Sequence, residues 1–116
     1  MLKMTGLKAC DTCRKAQKWL QENNIDFEYR DVKKDGVPED DLKRYVDSLG
    51  WEKVINKSST TWRGLDVSKK ENLDPSSAVK LLMENPSLMK RPLFEFENQF
   101  LLGFKEEQMK VLQTLA

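Results

Sequence analysis

The sequence contains no histidine. That one absence removes the Ser-His-Asp triad, the Cys-His pair and histidine-ligated metals from consideration. Cysteine is scarce, with Cys10 and Cys13 the only two. A structural zinc site takes four ligands and two cysteines supply half, so no bound metal is expected in a monomer, and only a dimer pooling its cysteine pairs would complete such a site. No apolar run is long enough to span a bilayer, so no membrane association is expected. The N-terminus has no secretory leader pattern, because its apolar stretch is short and charges follow at once. The expected location is the cytoplasm, where thiols are kept reduced and a disulfide is an event in catalysis or sensing. Neither charge sign dominates: 20 Lys and Arg face 19 Asp and Glu, a net charge of +1. Bulk attraction to nucleic acid or anionic lipid is therefore not expected. No aromatic stripe alternates with a basic one, so direct nucleic-acid contact is not expected either.

What is present suits one domain with one core: 116 residues, 39% hydrophobic and 34% charged. Residues 2–7 read as a short strand. From Asp11 to about Asn23 the pattern is helical, with Cys13, Ala16 and Leu20 on one stripe. Ile25, Phe27 and Tyr29 then alternate with polar residues as a second strand. Strand, helix, strand is a βαβ unit with parallel strands. Pro38 and the acidic residues after it open another helix, which Gly50 stops. Residues 51–55 suggest one more helical turn, and 56–61 read as a polar loop. Asp74-Pro75-Ser76-Ser77 is a helix-start signal, and Asn85-Pro86 ends that helix. Residues 93–97 and 100–102 form a hairpin with a turn at Asn98-Gln99, and a last helix covers 106–115. The three tryptophans and the phenylalanines are expected in the core.

The chemistry points to Cys10-Asp11-Thr12-Cys13. A cysteine at a strand-to-helix junction sits at the positive helix end, among unpaired N–H groups, where the thiolate is favoured. Cys10 precedes the helix and should be exposed, whereas Cys13 lies on the buried stripe. Cys10 is thus assigned the attacking role and Cys13 the resolving one, closing a disulfide across one helical turn. With no histidine available, activation must come from the helix end and from cations. Lys8, Arg14 and Lys15 flank the motif. Arg63 stands beside Trp62, and Arg91 precedes Pro92, a proline suited to the first residue of a strand. Arginine offers an oxyanion a planar fork that lysine cannot match. Arg63, Arg91, Arg14 and Thr12 are taken as anion-binding residues.

The β-α-β then β-β-α order, the junction cysteine and the proline opening the third strand resemble the thioredoxin fold, in which Pro92 would be cis. The helical block between the halves, Thr60-Thr61-Trp62-Arg63, Lys90-Arg91-Pro92 and Leu101-Leu102-Gly103-Phe104 resemble the arsenate reductase (ArsC)/Spx family, and its short ArsC-like thiol reductases most. The resemblance covers essentially the whole chain. It implies an α/β thioredoxin-like domain over residues 1–116, with a mixed four-stranded sheet and a helical insertion at about 37–87. It also implies that Cys10 is the nucleophile and that Arg63 and Arg91 hold an oxyanion. The third arginine position of arsenate reductases is Phe104 here, and the second cysteine is shared with the Spx redox regulators instead.

The function expected from these readings is a thiol-dependent oxidoreductase acting on a small anionic or thiol substrate, arsenate or a glutathione-linked molecule. No bound cofactor is expected. Glutathione or another thiol is the expected reductant, with glutaredoxin or thioredoxin as candidate protein partners. The alternative is an Spx-like redox-sensing regulator that binds the RNA polymerase α subunit. A third reading is a stable fold retaining a non-catalytic disulfide.

Overall fold

A computed structural model describes residues 1–116. Four strands form one mixed sheet in the order β2-β1-β3-β4. β1 (Leu2–Gly6) runs parallel to β2 (Phe27–Asp31) and antiparallel to β3 (Leu93–Phe96), which pairs antiparallel with β4 (Gln99–Leu102). α1 (Asp11–Glu22) connects the first two strands, and α7 (Glu106–Gln113) closes the chain. Between β2 and β3 lie α2 (Glu39–Leu49), α3 (Trp51–Val54), α4 (Thr60–Arg63), α5 (Val67–Lys70), α6 (Pro75–Glu84) and a 3-10 turn at Pro86–Leu88. This is the expected α/β thioredoxin-like fold, with its halves separated by helices. The chain divides into two compact units, Met1–Asp35 with Arg91–Ala116, and Gly36–Lys90.

In the sheet unit, alternation sends Leu2 and Met4 to one face, where Met4 stands opposite Phe94 of β3. Cys13, Ala16 and Leu20 of α1 and Leu112 of α7 pack there with Ile25 and Phe96. The apolar stripe of α1 is thus satisfied by the sheet it crosses over. The helix stops at Asn23, and Asn24 takes the left-handed conformation at φ +56°. The hairpin turn sits one residue earlier than expected. Glu97 and Asn98 both adopt positive φ, the requirement of a two-residue loop that matches strand twist, so Gln99 already pairs with Phe96.

The helical unit has its own core. Leu42, Tyr45 and Val46 of α2 are buried, as are Ala78, Val79, Leu81 and Leu82 of α6, and the two helices pack on each other. Asp74 accepts a 2.7 Å hydrogen bond from the Ser77 N–H, and Ser77 Oγ accepts from the Asp74 N–H at 2.9 Å, a reciprocal cap. Part of the expected loop at 56–61 is helical instead, because Ser59 Oγ caps α4 by accepting from the Trp62 N–H at 3.1 Å. α5 and the 3-10 turn were not expected either, being too short to show a period. The tryptophans lie at the rims of the cores, half-buried. In this unit the Lys57 ammonium stands 5.2 Å from the Trp51 ring centre and 6.0 Å from that of Trp62.

Candidate functional site

The two thiols share the first turn of α1 and differ in every physical respect. Cys10 is the N-cap residue, with an extended backbone at φ −86° and ψ 116°, and its sulfur accepts from the Cys13 N–H at 3.4 Å. The sulfur therefore occupies the place where helices seat an acceptor. Cys10 is half-buried and Cys13 fully buried, and both are free thiols. Burial works against ionisation of Cys10. Hydrogen bonds from the Cys13 thiol and backbone, then the charge and hydrogen bond of Arg91, outweigh it and hold the Cys10 thiol below its ordinary value. Cys13 is pushed up to about 12, by burial first and then by its hydrogen bond to Cys10.

The loop before Cys10 is fastened from β2. Asp31, buried at the end of that strand, accepts from the Lys8 N–H at 2.8 Å through Oδ2, and from the Lys33 and Lys34 N–H groups at 2.9 Å through Oδ1. The Lys34 hydrogen bond leads the causes that hold its carboxyl below the usual range, with burial opposing. The Cys10 N–H donates in turn to the Leu7 carbonyl at 3.0 Å. Sequence reasoning gave Asp31 no role, although an acid ending a strand before a polar turn is a recognisable turn former.

The Arg91–Pro92 peptide bond is cis, and the Pro92 carbonyl accepts from the Gly103 N–H at 2.9 Å. Arg91 is brought to Cys10, on which its charge acts. Arg14 lies on α1 and is already occupied: it ion-pairs with Asp11 and donates to the Lys8 carbonyl at 3.2 Å. Thr12 is exposed on the first turn. Arg63 is exposed at the end of α4 and belongs to the helical unit. Phe104 stacks edge-on to Trp19 at 5.6 Å and leans on Phe94 at 6.3 Å, a packing residue of the sheet unit.

Two further residues were missed. A Cβ on Gly6 would stand 3.0 Å from Cys13 Sγ, 3.2 Å from Cys13 Cβ and 3.3 Å from Tyr29 Cε1. Only glycine lets the buried sulfur come this close to the central strand. A lone glycine inside a strand pattern was the available signal. Tyr29 carried no signal beyond its alternation in β2. No group of three or more Cys, Asp or Glu side chains is placed to hold a metal ion. A groove of about 690 Å³ between α2 and α6, lined in part by Lys43, Val46, Val79 and Met83, contains neither cysteine. No helix is long and apolar enough to cross a membrane.

The sequence model of the ArsC family matches residues 6–112. The chain is 41% identical over 108 residues to an uncharacterized protein of Haemophilus influenzae, a match covering 93% of this chain and 95% of that one. It is 30% identical over 104 residues to the global transcriptional regulator Spx 2 of Bacillus anthracis, covering 88% and 79%. Among solved structures, an arsenate reductase (ArsC) related protein from Brucella melitensis is 35% identical, superposes with a TM-score of 0.77, and is matched over 95% of this chain and 92% of that one. With the family pattern spanning nearly the whole sequence and the fold shared, this chain belongs to the ArsC family.

Proposed function

We propose that this ArsC-family protein is a thiol–disulfide oxidoreductase in which Cys10 attacks and Cys13 resolves. The observation that carries the reading is the asymmetry of the pair: an N-capping, half-buried Cys10 with a lowered thiol pKa beside a buried Cys13 raised to about 12. The Cys10 thiolate displaces one thiolate from a disulfide substrate and forms a mixed disulfide. Cys13 then loses its proton and attacks the Cys10 sulfur, which closes the internal disulfide and releases the second thiolate. A thiol reductant such as glutathione, or a glutaredoxin or thioredoxin, restores both thiols. The substrate class this favours is a glutathione-type mixed disulfide whose anionic group is held by Arg91, with Thr12 beside the motif. Pro92, beside Arg91, would shape the wall facing the dithiol. Arsenate is less favoured. A multiply charged oxyanion is best held by several charge-assisted hydrogen bonds, whereas Phe104 is uncharged and Arg14 is engaged with Asp11. The test is turnover of a glutathione mixed disulfide and of arsenate by the parent and by Cys10→Ser. Turnover that survives Cys10→Ser would end this reading.

A second reading is favoured by the similarity to the Spx regulators: a redox-responsive regulator that contacts the RNA polymerase α subunit. It predicts a complex with that subunit that depends on the oxidation state of Cys10 and Cys13. No complex in either state eliminates it.

A further inference from the structure

We propose that Tyr29 is a positioning residue for Cys13, its phenolic O–H donating to the Cys13 sulfur whenever that sulfur carries negative charge. This rests on the dithiol reading above and deepens it. Three observations support it. Tyr29 lies on β2 opposite Met4, and its ring edge and the Cys13 sulfur border the same point in space, the missing Cβ of Gly6, at 3.3 Å and 3.0 Å. Ring edge and sulfur therefore flank the same glycine, and the hydroxyl, which makes no hydrogen bond to the sulfur in the free dithiol, closes on it only as Cys13 moves to attack. The Tyr29 hydroxyl is buried and makes no hydrogen bond while both cysteines are free thiols. A buried hydroxyl without a partner is costly, and phenylalanine would fill the same space without that cost. Finally, Tyr29 keeps its proton. Burial first, then the charges of Asp31, Cys13, Cys10 and Asp35, push it up to about 12. At neutral pH it is a donor and not a base.

The need for a donor lies in the resolving step. When Cys10 carries a mixed disulfide with a thiol R–SH, Cys13 gives its proton to solvent and its sulfur attacks that of Cys10. The Cys10–Cys13 bond forms, the bond from Cys10 to the R sulfur breaks, and R–S⁻ leaves with the electron pair and takes up a proton. In the reverse direction, when an external thiolate attacks Cys10 of the disulfide, Cys13 is the leaving group. Thiols of lower pKa leave faster, and a buried thiol raised to about 12 is poor in both roles. Cys10 and Arg91 are the other charged groups that act on it. A hydrogen bond from Tyr29 lowers its basicity at the moment of transfer and has no partner at rest.

The experiment uses an aromatic disulfide, dithio-bis-nitrobenzoate, whose released thiolate is coloured. One release reports attack by Cys10, and the second reports resolution by Cys13. In Tyr29→Phe the first release should keep the parent rate, the second should slow by about tenfold, and the melting temperature should stay level or rise. An unchanged second release overturns the proposal, as does an equal slowing of both. Biosynthetic replacement of tyrosine by fluorotyrosine, a more acidic donor, should speed the second release without touching the fold, and an unchanged or slower one counts against Tyr29. A parent protein that shows no second release at all overturns the dithiol reading itself, a distinct outcome.

Discussion

The backbone N–H of Cys13 points at the sulfur of Cys10 from 3.4 Å. The residue assigned to resolution thus helps to ionise the residue assigned to attack. A thiolate at an N-cap takes up both a hydrogen bond and the partial positive charge of the helix end. Alkylation of Cys10 followed against pH should reach half its maximum below the ordinary 9.0 of a thiol. Arg91→Ala should move that midpoint upward and slow alkylation at neutral pH by about tenfold. Arg91→Lys should recover part of the loss. A midpoint unmoved by Arg91→Ala would remove the arginine from the activation of Cys10.

Alkaline stability should fall early. Cys13 is raised from 9.0 to about 12 and Tyr29 from 10.0 to about 12 in the folded chain. Both groups contribute stability that is fully present below their unfolded values. Between pH 9 and 12 the unfolded chain sheds protons that the folded chain retains, so stability declines as pH rises. Denaturant unfolding across that window should show a falling midpoint. Cys13→Ala should flatten the decline, and a wild-type slope in that variant would contradict the assignment.

Gly6→Ala tests the close approach of strand and sulfur. The added methyl meets Cys13 Sγ, Cys13 Cβ and Tyr29 Cε1 at 3.0 to 3.3 Å, and all belong to packed groups. Overpacking of this kind costs about 1–3 kcal/mol. Combining it with Cys13→Ala should return part of that cost by removing the nearest atom. Strict additivity of the two changes in a double-mutant cycle would show that the contact carries no energy.

Asp31→Asn keeps the shape and removes the charge that receives three backbone N–H groups. The expected loss is about 2 kcal/mol, since one amide face now presents a donor to donors. The carboxyl is held below its ordinary 3.8, so its contribution is present above that value and fades as pH falls through the lower folded one. Acid unfolding of Asp31→Asn should therefore depend less on pH than that of the parent. An identical acid limb in both would mean the clamp is not electrostatic.

Phe104→Ala removes a ring held between Trp19 and Phe94 and should cost about 2 kcal/mol, a partly exposed version of a core truncation. Chemical denaturation measures it. A loss under half that size would argue that the aromatic contact is incidental.

Much of the sheet unit was legible because its signals are periodic. The stripe Cys13, Ala16, Leu20 located both α1 and the buried thiol, and the alternation around Phe94 and Phe96 located the hairpin. α4 and α5 were not legible, since four residues complete one turn and leave no period to detect. The capping role of Ser59 depends on where its hydroxyl points, which composition does not state. At the site, the cysteines and Arg91 could be read from residue type and neighbours. Asp31 and Gly6 left only a local signal and Tyr29 none beyond its alternation, because their parts depend on which strands lie side by side. The half-buried tryptophans show the reverse error: large apolar area was read as core, while each ring sits at a rim.

The central strand finds its two partners from opposite directions along the chain. Met4 meets Tyr29 across one edge and Phe94 across the other. The first pairing is local, and the second closes a loop that contains all of the helical unit. Loop closure of that length is slow relative to helix formation. On the ribosome, Cys10 and Cys13 emerge long before Arg91 and β3 do. Through that interval α1 can form, but the arginine that acts on Cys10 is missing. The nascent chain therefore exposes two thiols without the full activation of the folded site, and their reactivity rises only when the last third of the sequence is in place.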